Sequence, residues 1–335
     1  MQDKTTVLTH TSEVDAVKVS VIVLTYRQAE VVQACLASFF AQTLSSFQLV
    51  VSDDASPDET WSVIETVCQT APPGIRLSLN RNPRNLGIVG NYNRALALCD
   101  GDVIFSAAGD DVSLPHRLHR CVELWLETGQ RFDLVATDLV DMAYDGERLG
   151  DKPIDTLEHW DWQRWMRERP YHAGASHMVT RRLVELAPLR EDAMLEDQCL
   201  FFRALLMGGA LRVAEPLVLH RRGGVSTQPS PRNYDGKRAD ILKSARQSMA
   251  EFNQYLQDAQ RLNAPESLKD FLRRQIDTTA FIQACLGAQG RSESLACLWQ
   301  YPQVAWRKKL RYGLFVVLSG LYRLGYAIKR FLKGN

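Results

Sequence analysis

Val19-Ser20-Val21-Ile22-Val23-Leu24-Thr25-Tyr26 is the stretch on which the fold turns. Its first six residues are rich in β-branched side chains and carry no charge, the pattern of a buried strand. Residues 29–40 follow with helical spacing, and Phe47 to Ser52 repeats the strand pattern, closing on Asp53-Asp54. Ser56-Pro57-Asp58-Glu59 has the order of a helix start, with Ser to cap, Pro in the first turn and Glu three residues after the cap. A third strand fits 76–79, a helix 89–98 and a fourth strand 103–106. Strands alternating with helices predict right-handed crossovers and a mainly parallel sheet with flanking helices.

Ligands of such sheets bind beyond the carboxyl ends of the strands. Those ends carry Thr25-Tyr26, Asp53-Asp54 and Asp110-Asp111, a polar and acidic edge. No G-x-G-x-x-G follows the first strand, and no G-x-x-x-x-G-K-[ST] occurs anywhere. Where those folds cradle phosphate with glycines, this chain offers carboxylates. Carboxylates hold a diphosphate only with a cation between.

The 335 residues suit one large or two medium domains, and 45% hydrophobic with 24% charged residues is an ordinary globular composition. It excludes a disordered polyelectrolyte, a collagen-like fibre and a polytopic membrane protein. A net charge of +1 argues against a whole-protein nucleic-acid binder. That sum hides an asymmetry. Residues 301–335 hold eight basic residues (Arg307, Lys308, Lys309, Arg311, Arg323, Lys329, Arg330, Lys333) and no acid, which leaves −7 for the rest. Seven scattered cysteines without a C-x-x-C pair suit reduced, buried thiols and a cytoplasmic setting. Residues 1–16 are polar, with no signal-peptide core, and are expected to form a flexible lead-in.

Four blocks in order resemble glycosyltransferase family 2, inverting enzymes of the GT-A fold that use nucleotide-sugars. They are the first strand with Thr25-Tyr26, the Val51-Ser-Asp53-Asp54-Ala-Ser56-Pro-Asp58 block, Asn85-Leu86-Gly87 leading to Gly101-Asp102 and Asp110-Asp111, and Leu195-Glu196-Asp197 through Arg203. The resemblance runs from about Val17 to Thr227. It implies a GT-A (Rossmann-like) α/β domain over 17–230.

The resemblance also implies roles. Asp53-Asp54 and Thr25-Tyr26 would form the nucleotide pocket, the second acid meeting the pyrimidine ring N–H and the tyrosine stacking on the base. Asp110 would approach the ribose, while Asp111 would coordinate Mg²⁺ or Mn²⁺. Ala108 stands where the family often has a leading Asp, which leaves fewer protein ligands for the metal. Asp197 would be the catalytic base, with Glu196 fixing the acceptor or capping a helix. His220-Arg221-Arg222-Gly223-Gly224-Val225-Ser226 resembles a shortened form of the family's late Tyr-Arg-x-His loop, with Arg221 near the leaving diphosphate. Ala173-Gly174-Ala175-Ser176-His177 resembles the small-residue segment under the acceptor. Three tryptophans just before it, Trp160, Trp162 and Trp165, fit helix packing better than sugar stacking.

After Tyr234 the alternation stops. The spans 235–248, 249–263 and 268–288 read as helices, so 231–300 is expected to be a helical annex. In 301–335, Leu310, Leu314, Val317, Leu321, Leu324, Ile328 and Phe331 recur as one continuous helical stripe. Its longest uncharged run, Tyr312–Tyr322, has 11 residues and is too short to cross a bilayer. A basic amphipathic helix on an anionic membrane surface fits best. The other reading docks it on this protein or on a twin subunit, making a homo-oligomer. The function expected is metal-dependent, inverting transfer of a sugar, from UDP in the first instance, to a saccharide or lipid-linked acceptor in surface polysaccharide assembly. A sugar nucleotidyltransferase and a non-catalytic nucleotide-sugar-binding scaffold are the alternatives.

Overall fold

The computed structural model describes residues 13–223 and 233–332. Residues 1–12 of the lead-in and Gly224-Val225-Ser226 of the late loop lie outside them. The chain divides into two compact units, Met1–Thr227 and Gln228–Asn335.

Residues 13–16 form a helical turn that buries Val14. The first unit then runs β1 (Val19–Thr25), α1 (Val32–Phe40), β2 (Phe47–Asp53), α2 (Thr60–Cys68), β3 (Ile75–Arg81), α3 (Gly87–Leu96), β4 (Val103–Ala108), β5 (Val112–Ser113) and α4 (Arg117–Glu127). It continues with β6 (Leu134–Met142), β7 (Arg148–Lys152), α5 (Trp162–Trp165), β8 (His177–Thr180), α6 (Arg181–Glu185), α7 (Glu196–Leu205) and β9 (Ala210–Arg221). The strands form one sheet in the order β3-β2-β1-β4-β8-β6-β9-β5, with β7 beside β6. β3, β2, β1 and β4 are all parallel, with Ile22 of β1 opposite Val50 on one side and Ser106 on the other. β8 then runs antiparallel to both β4 and β6. The sheet is therefore parallel in its first half and mixed in its second.

β1 sits centrally, as its run of apolar residues requires. Val21, Ile22 and Val23 have no exposed surface, and β1, α1 and β2 pack Val23, Leu36, Phe39 and Leu49 into one core. All seven cysteines are buried. The helix after β2 starts three residues later than its sequence suggests, with Glu59 and not Ser56 at the cap position. Ser56 does not cap it, because its hydroxyl is engaged by Arg27 and Asp53. Asp58 supplies the first-turn acceptor instead, its Oδ1 lying 3.2 Å from Thr60 N.

In the second unit, α8 (Tyr234–Arg261) is a single helix across the expected break at residue 249. It is followed by α9 (Glu266–Gly287), α10 (Arg291–Gln300), α11 (Trp306–Val317) and α12 (Ser319–Leu332). The tail is two helices, not one. Leu318 leaves the helical region (φ −89°, ψ 21°) just before Ser319-Gly320, two residues with little helix preference. Part of the tail docks on its own unit. Phe315 stacks on Tyr234 at 4.8 Å, Tyr312 meets Phe281 edge-on at 6.5 Å, and Arg323 pairs with Asp235 at 2.8 Å. No helix among the described residues is long and apolar enough to cross a membrane.

Candidate active site

The parallel strands end together, and their last residues interlock. Thr25 Oγ1 donates to Asp53 Oδ1 at 3.1 Å. Asp53 has no exposed surface; it also accepts from Ser56 Oγ at 2.6 Å and Ser56 N at 2.9 Å. Asp53 is thereby committed to the framework of the loop, a departure from the expectation of a ligand-facing pair. Asp54 is bonded differently. Its Oδ1 accepts from Leu86 N at 2.8 Å and Asn82 Nδ2 at 2.9 Å, and its Oδ2 accepts from Gly87 N at 2.9 Å. It seats the start of α3, where a negative charge is favoured. Tyr26 is half-buried beside these groups, with the Arg27 guanidinium 5.3 Å from its ring centre.

Gly109 brings the next acidic pair against β1. Its N–H donates to Leu24 O at 2.9 Å. A Cβ at this position would lie 2.5 Å from Gln28 Oε1 and 2.7 Å from Thr25 Cγ2, so only glycine permits the approach. Asp110 is half-buried and Asp111 buried. Burial raises both carboxyls above the usual range, and the neighbouring Asp110 charge raises Asp111 further. Two such groups need positive charge nearby. Arg117, fully buried, supplies some to Asp111 while donating to Ser113 Oγ and Ser106 O.

Arg221 acts differently from its expected place at a diphosphate. Its main-chain N–H donates to Asp111 Oδ1 at 2.8 Å, and its guanidinium donates to the carbonyls of Asp110, Ala143 and Tyr144. It clamps the acidic turn to the β6–β7 hairpin and is itself only 9% exposed. That hairpin carries Tyr144, whose hydroxyl donates to Glu30 Oε2 at 3.1 Å, on the loop after β1. Neither Arg117 nor Tyr144 carries a sequence signal; both act through contacts made only on folding.

Among the described residues, no three His, Cys, Asp or Glu side chains converge on a point. The described residues therefore supply no closed metal cage. Asp110 and Asp111 are two adjacent oxygen donors whose burial disfavours their charge, and the chemistry of that pair fits a divalent ion that would draw its other ligands from substrate and water.

On the other side of β4, residues 174–176 form a turn packed on β4 and on the start of α7. Glu196 and Asp197 open that helix, both half-buried. Asp197 Oδ1 accepts from Gln198 N at 2.6 Å, and among the described residues no donor reaches Oδ2. Burial, then the Asp197 charge, pushes the Glu196 carboxyl up. Gly174 permits the contact, since a Cβ there would lie 2.9 Å from Asp197 Cβ and 3.0 Å from Glu196 Oε1. Trp160 and Trp165 are buried against Phe201 and Phe202 of α7, at 6.4 and 4.4 Å. They support that helix from behind, as their spacing suggested.

The chain is similar to known proteins. Residues 20–182 match the model of glycosyl transferase family 2. ExoO, a succinoglycan biosynthesis protein of Rhizobium meliloti, is 27% identical over 221 residues, covering 62% of this chain and 61% of that protein. The chain spans 33%, 43% and 30% of the length of three other curated relatives, at 34%, 30% and 34% identity. Among solved structures, TarS of S. aureus in complex with UDP-GlcNAc superposes with a TM-score of 0.52 at 17% identity, over 84% of this chain and 89% of that one. A mannosyltransferase of Pyrobaculum calidifontis in complex with GDP-Man and Mn²⁺ gives 0.51 at 19% identity, over 91% and 87%. At such identities the likeness establishes the fold, the GT-A type. The fold, the ordered acidic edge and the family match agree on residues 20–182, which are similar to glycosyl transferase family 2 throughout the parallel half of the sheet.

Proposed function

We propose that the protein is an inverting glycosyltransferase, dependent on a divalent cation, that moves a sugar from UDP to a hydroxyl of a saccharide or lipid-linked acceptor. One observation carries this reading. The turn at 174–176 packs on β4, whose end leads to Asp110-Asp111, and presses on the helix that presents Asp197. The acids beyond the end of β4 and the helix that carries Asp197, whose Oδ2 meets no donor among the described residues, are thus linked through one turn packed on one strand. The family match and the part of ExoO in succinoglycan biosynthesis support sugar transfer; the UDP-GlcNAc and GDP-Man complexes of the two structural neighbours support a nucleotide-sugar donor, and the first of them UDP.

In this reading Tyr26 stacks on the uracil. Asp54 Oδ2, which accepts one hydrogen bond among the described residues, takes the ring N–H. Asp110 meets the ribose, and Asp110 with Asp111 would hold Mg²⁺ or Mn²⁺. When bound, that ion would neutralise charge on the diphosphate. Arg221 keeps both acids in place. Asp197 Oδ2 accepts the proton of the acceptor hydroxyl as it attacks the anomeric carbon, opposite the leaving group. Trp306, Leu310, Leu314, Leu321, Leu324 and Ile328 are exposed on the basic tail. We place that face on an anionic membrane surface, which would keep the enzyme on the cytoplasmic side beside a lipid-linked acceptor.

Product analysis separates this from nucleotidyl transfer. Incubation with UDP-GlcNAc or UDP-glucose, Mn²⁺ and an acceptor extract should release UDP, and should add the sugar with inverted anomeric configuration. Release of pyrophosphate, or retention of configuration, would overturn the proposal.

A further inference from the structure

The bend that places Gly174 against Asp197 begins and ends on a histidine. His172 and His177 are 6% and 1% exposed, and their rings stack with centres 5.0 Å apart. His172 Nδ1 lies 3.0 Å from His177 Nε2. At its other edge, His172 Nε2 lies 3.2 Å from the side-chain amide nitrogen of Gln198, the residue after Asp197. An amide nitrogen only donates, so His172 Nε2 accepts and the ring proton sits on Nδ1, donated to His177 Nε2. His177 then keeps its proton on Nδ1, which is buried and meets no partner among the described residues. An apolar pair would fill the same space without that cost, so the arrangement does more than pack.

Each end of the bend is tied to a different part of the site. The His177 carbonyl accepts from the buried Arg117 at 3.4 Å, and His177 pairs with Ala136 of β6. The His172 ring packs on Phe201 of α7 at 4.7 Å, one turn beyond Asp197. We infer that His172 is a positioning residue for the proposed base: it holds Gln198, and through Gln198 it fixes the first turn of α7 so that Asp197 Oδ2 stays aimed away from its own helix. The inference rests on the reading of Asp197 as the base.

The hydrogen-bond chain requires both rings to be neutral, and their surroundings favour that state. Burial disfavours charge on His172 against the opposing pull of Asp197 and Asp155. On His177, burial is reinforced by His172 and Arg117.

The test uses the full-length protein, UDP alone, and a UDP-sugar with water as acceptor. In the wild type, ¹⁵N NMR should find His172 in the Nδ1–H form at pH 7; an Nε2–H or charged ring would overturn the inference. His172→Phe should lower kcat for UDP release from UDP-GlcNAc at least tenfold while leaving the Kd for UDP within twofold. His172→Gln, which keeps a polar group near the Nε2 position, should recover part of that loss. A His172→Phe variant with wild-type kcat, or a Gln variant no better than Phe, would refute it. If the wild type turns over no UDP-sugar, the transfer reading fails instead, and the tautomer still decides whether the chain of hydrogen bonds exists.

Discussion

Single residues decide where the acids of this site face. Asp53 and Asp54 are adjacent in sequence, yet one is consumed by Thr25 and Ser56 while the other seats α3. The doublet was legible as a strand end; the division of labour was not, because it depends on which neighbours fold back onto each oxygen. Arg221 shows the same limit. Its charge suggested phosphate, but three backbone carbonyls occupy its guanidinium. Glycines at close approaches are sharper reporters. Gly174→Ala should push Asp197 and Glu196 aside by several tenths of an ångström, given the 2.9 and 3.0 Å approaches. Misplacement on that scale should cost ten- to a hundredfold in kcat, with UDP affinity unchanged. Equal losses of kcat and UDP affinity would place Gly174 in a general structural role. Ala55, in left-handed backbone at φ 57°, makes a simpler case. Ala55→Gly should raise unfolding free energy by about 1 kcal/mol, read from urea titration.

At the level of elements, the first half of the sheet was readable because β1, β2 and β4 are buried on both faces and announce themselves as mostly apolar runs, with β3 on the edge alternating instead. β8 and β9 were not. β8 has four residues, too few for a periodic signal, and its antiparallel place between β4 and β6 is set by long-range pairing. The bend before β8 carries its own pH signature. Folding holds His172 below the ordinary value of 6.5, and His177 well below it, chiefly through burial. The unfolded chain therefore binds more protons just below pH 6.5, so these rings make stability fall as pH falls through that window. Asp110, Asp111 and Glu196 act in the opposite direction, since their folded forms hold protons longer. Comparing wild type with His172→Phe isolates the imidazole share: between pH 7 and 5.5 the urea midpoint should drop further in the wild type. Parallel curves would show that burial of His172 is not what couples it to pH.

For the whole molecule, an average charge near zero divides into an acidic body and a basic tail, and the structure gives that tail two characters. Tyr312, Phe315, Tyr322 and Arg323 turn toward α8 and α9, as a docked helix would. Leu310, Leu314, Leu321, Leu324 and Ile328 remain 42–64% exposed among basic residues. Sequence periodicity showed the stripe but could not say how much of it the annex would cover. Lys308→Ala/Lys309→Ala should weaken binding to vesicles rich in anionic lipid about thirtyfold, at about 1 kcal/mol for each charge near the surface. Binding that ignores both the substitutions and added salt would point to a protein partner, such as a second copy.

The central claim is that Asp197 removes the acceptor proton while a separate acidic edge binds the donor. Kinetics of UDP release by Asp197→Asn, paired with calorimetry of UDP binding in Mn²⁺, test it most directly. General-base catalysis contributes about 10²–10⁴ in rate. The account predicts a loss of kcat of at least a hundredfold, with the Kd for UDP within twofold of wild type. A variant that turns over at the wild-type rate, or one that loses UDP binding along with activity, would contradict it.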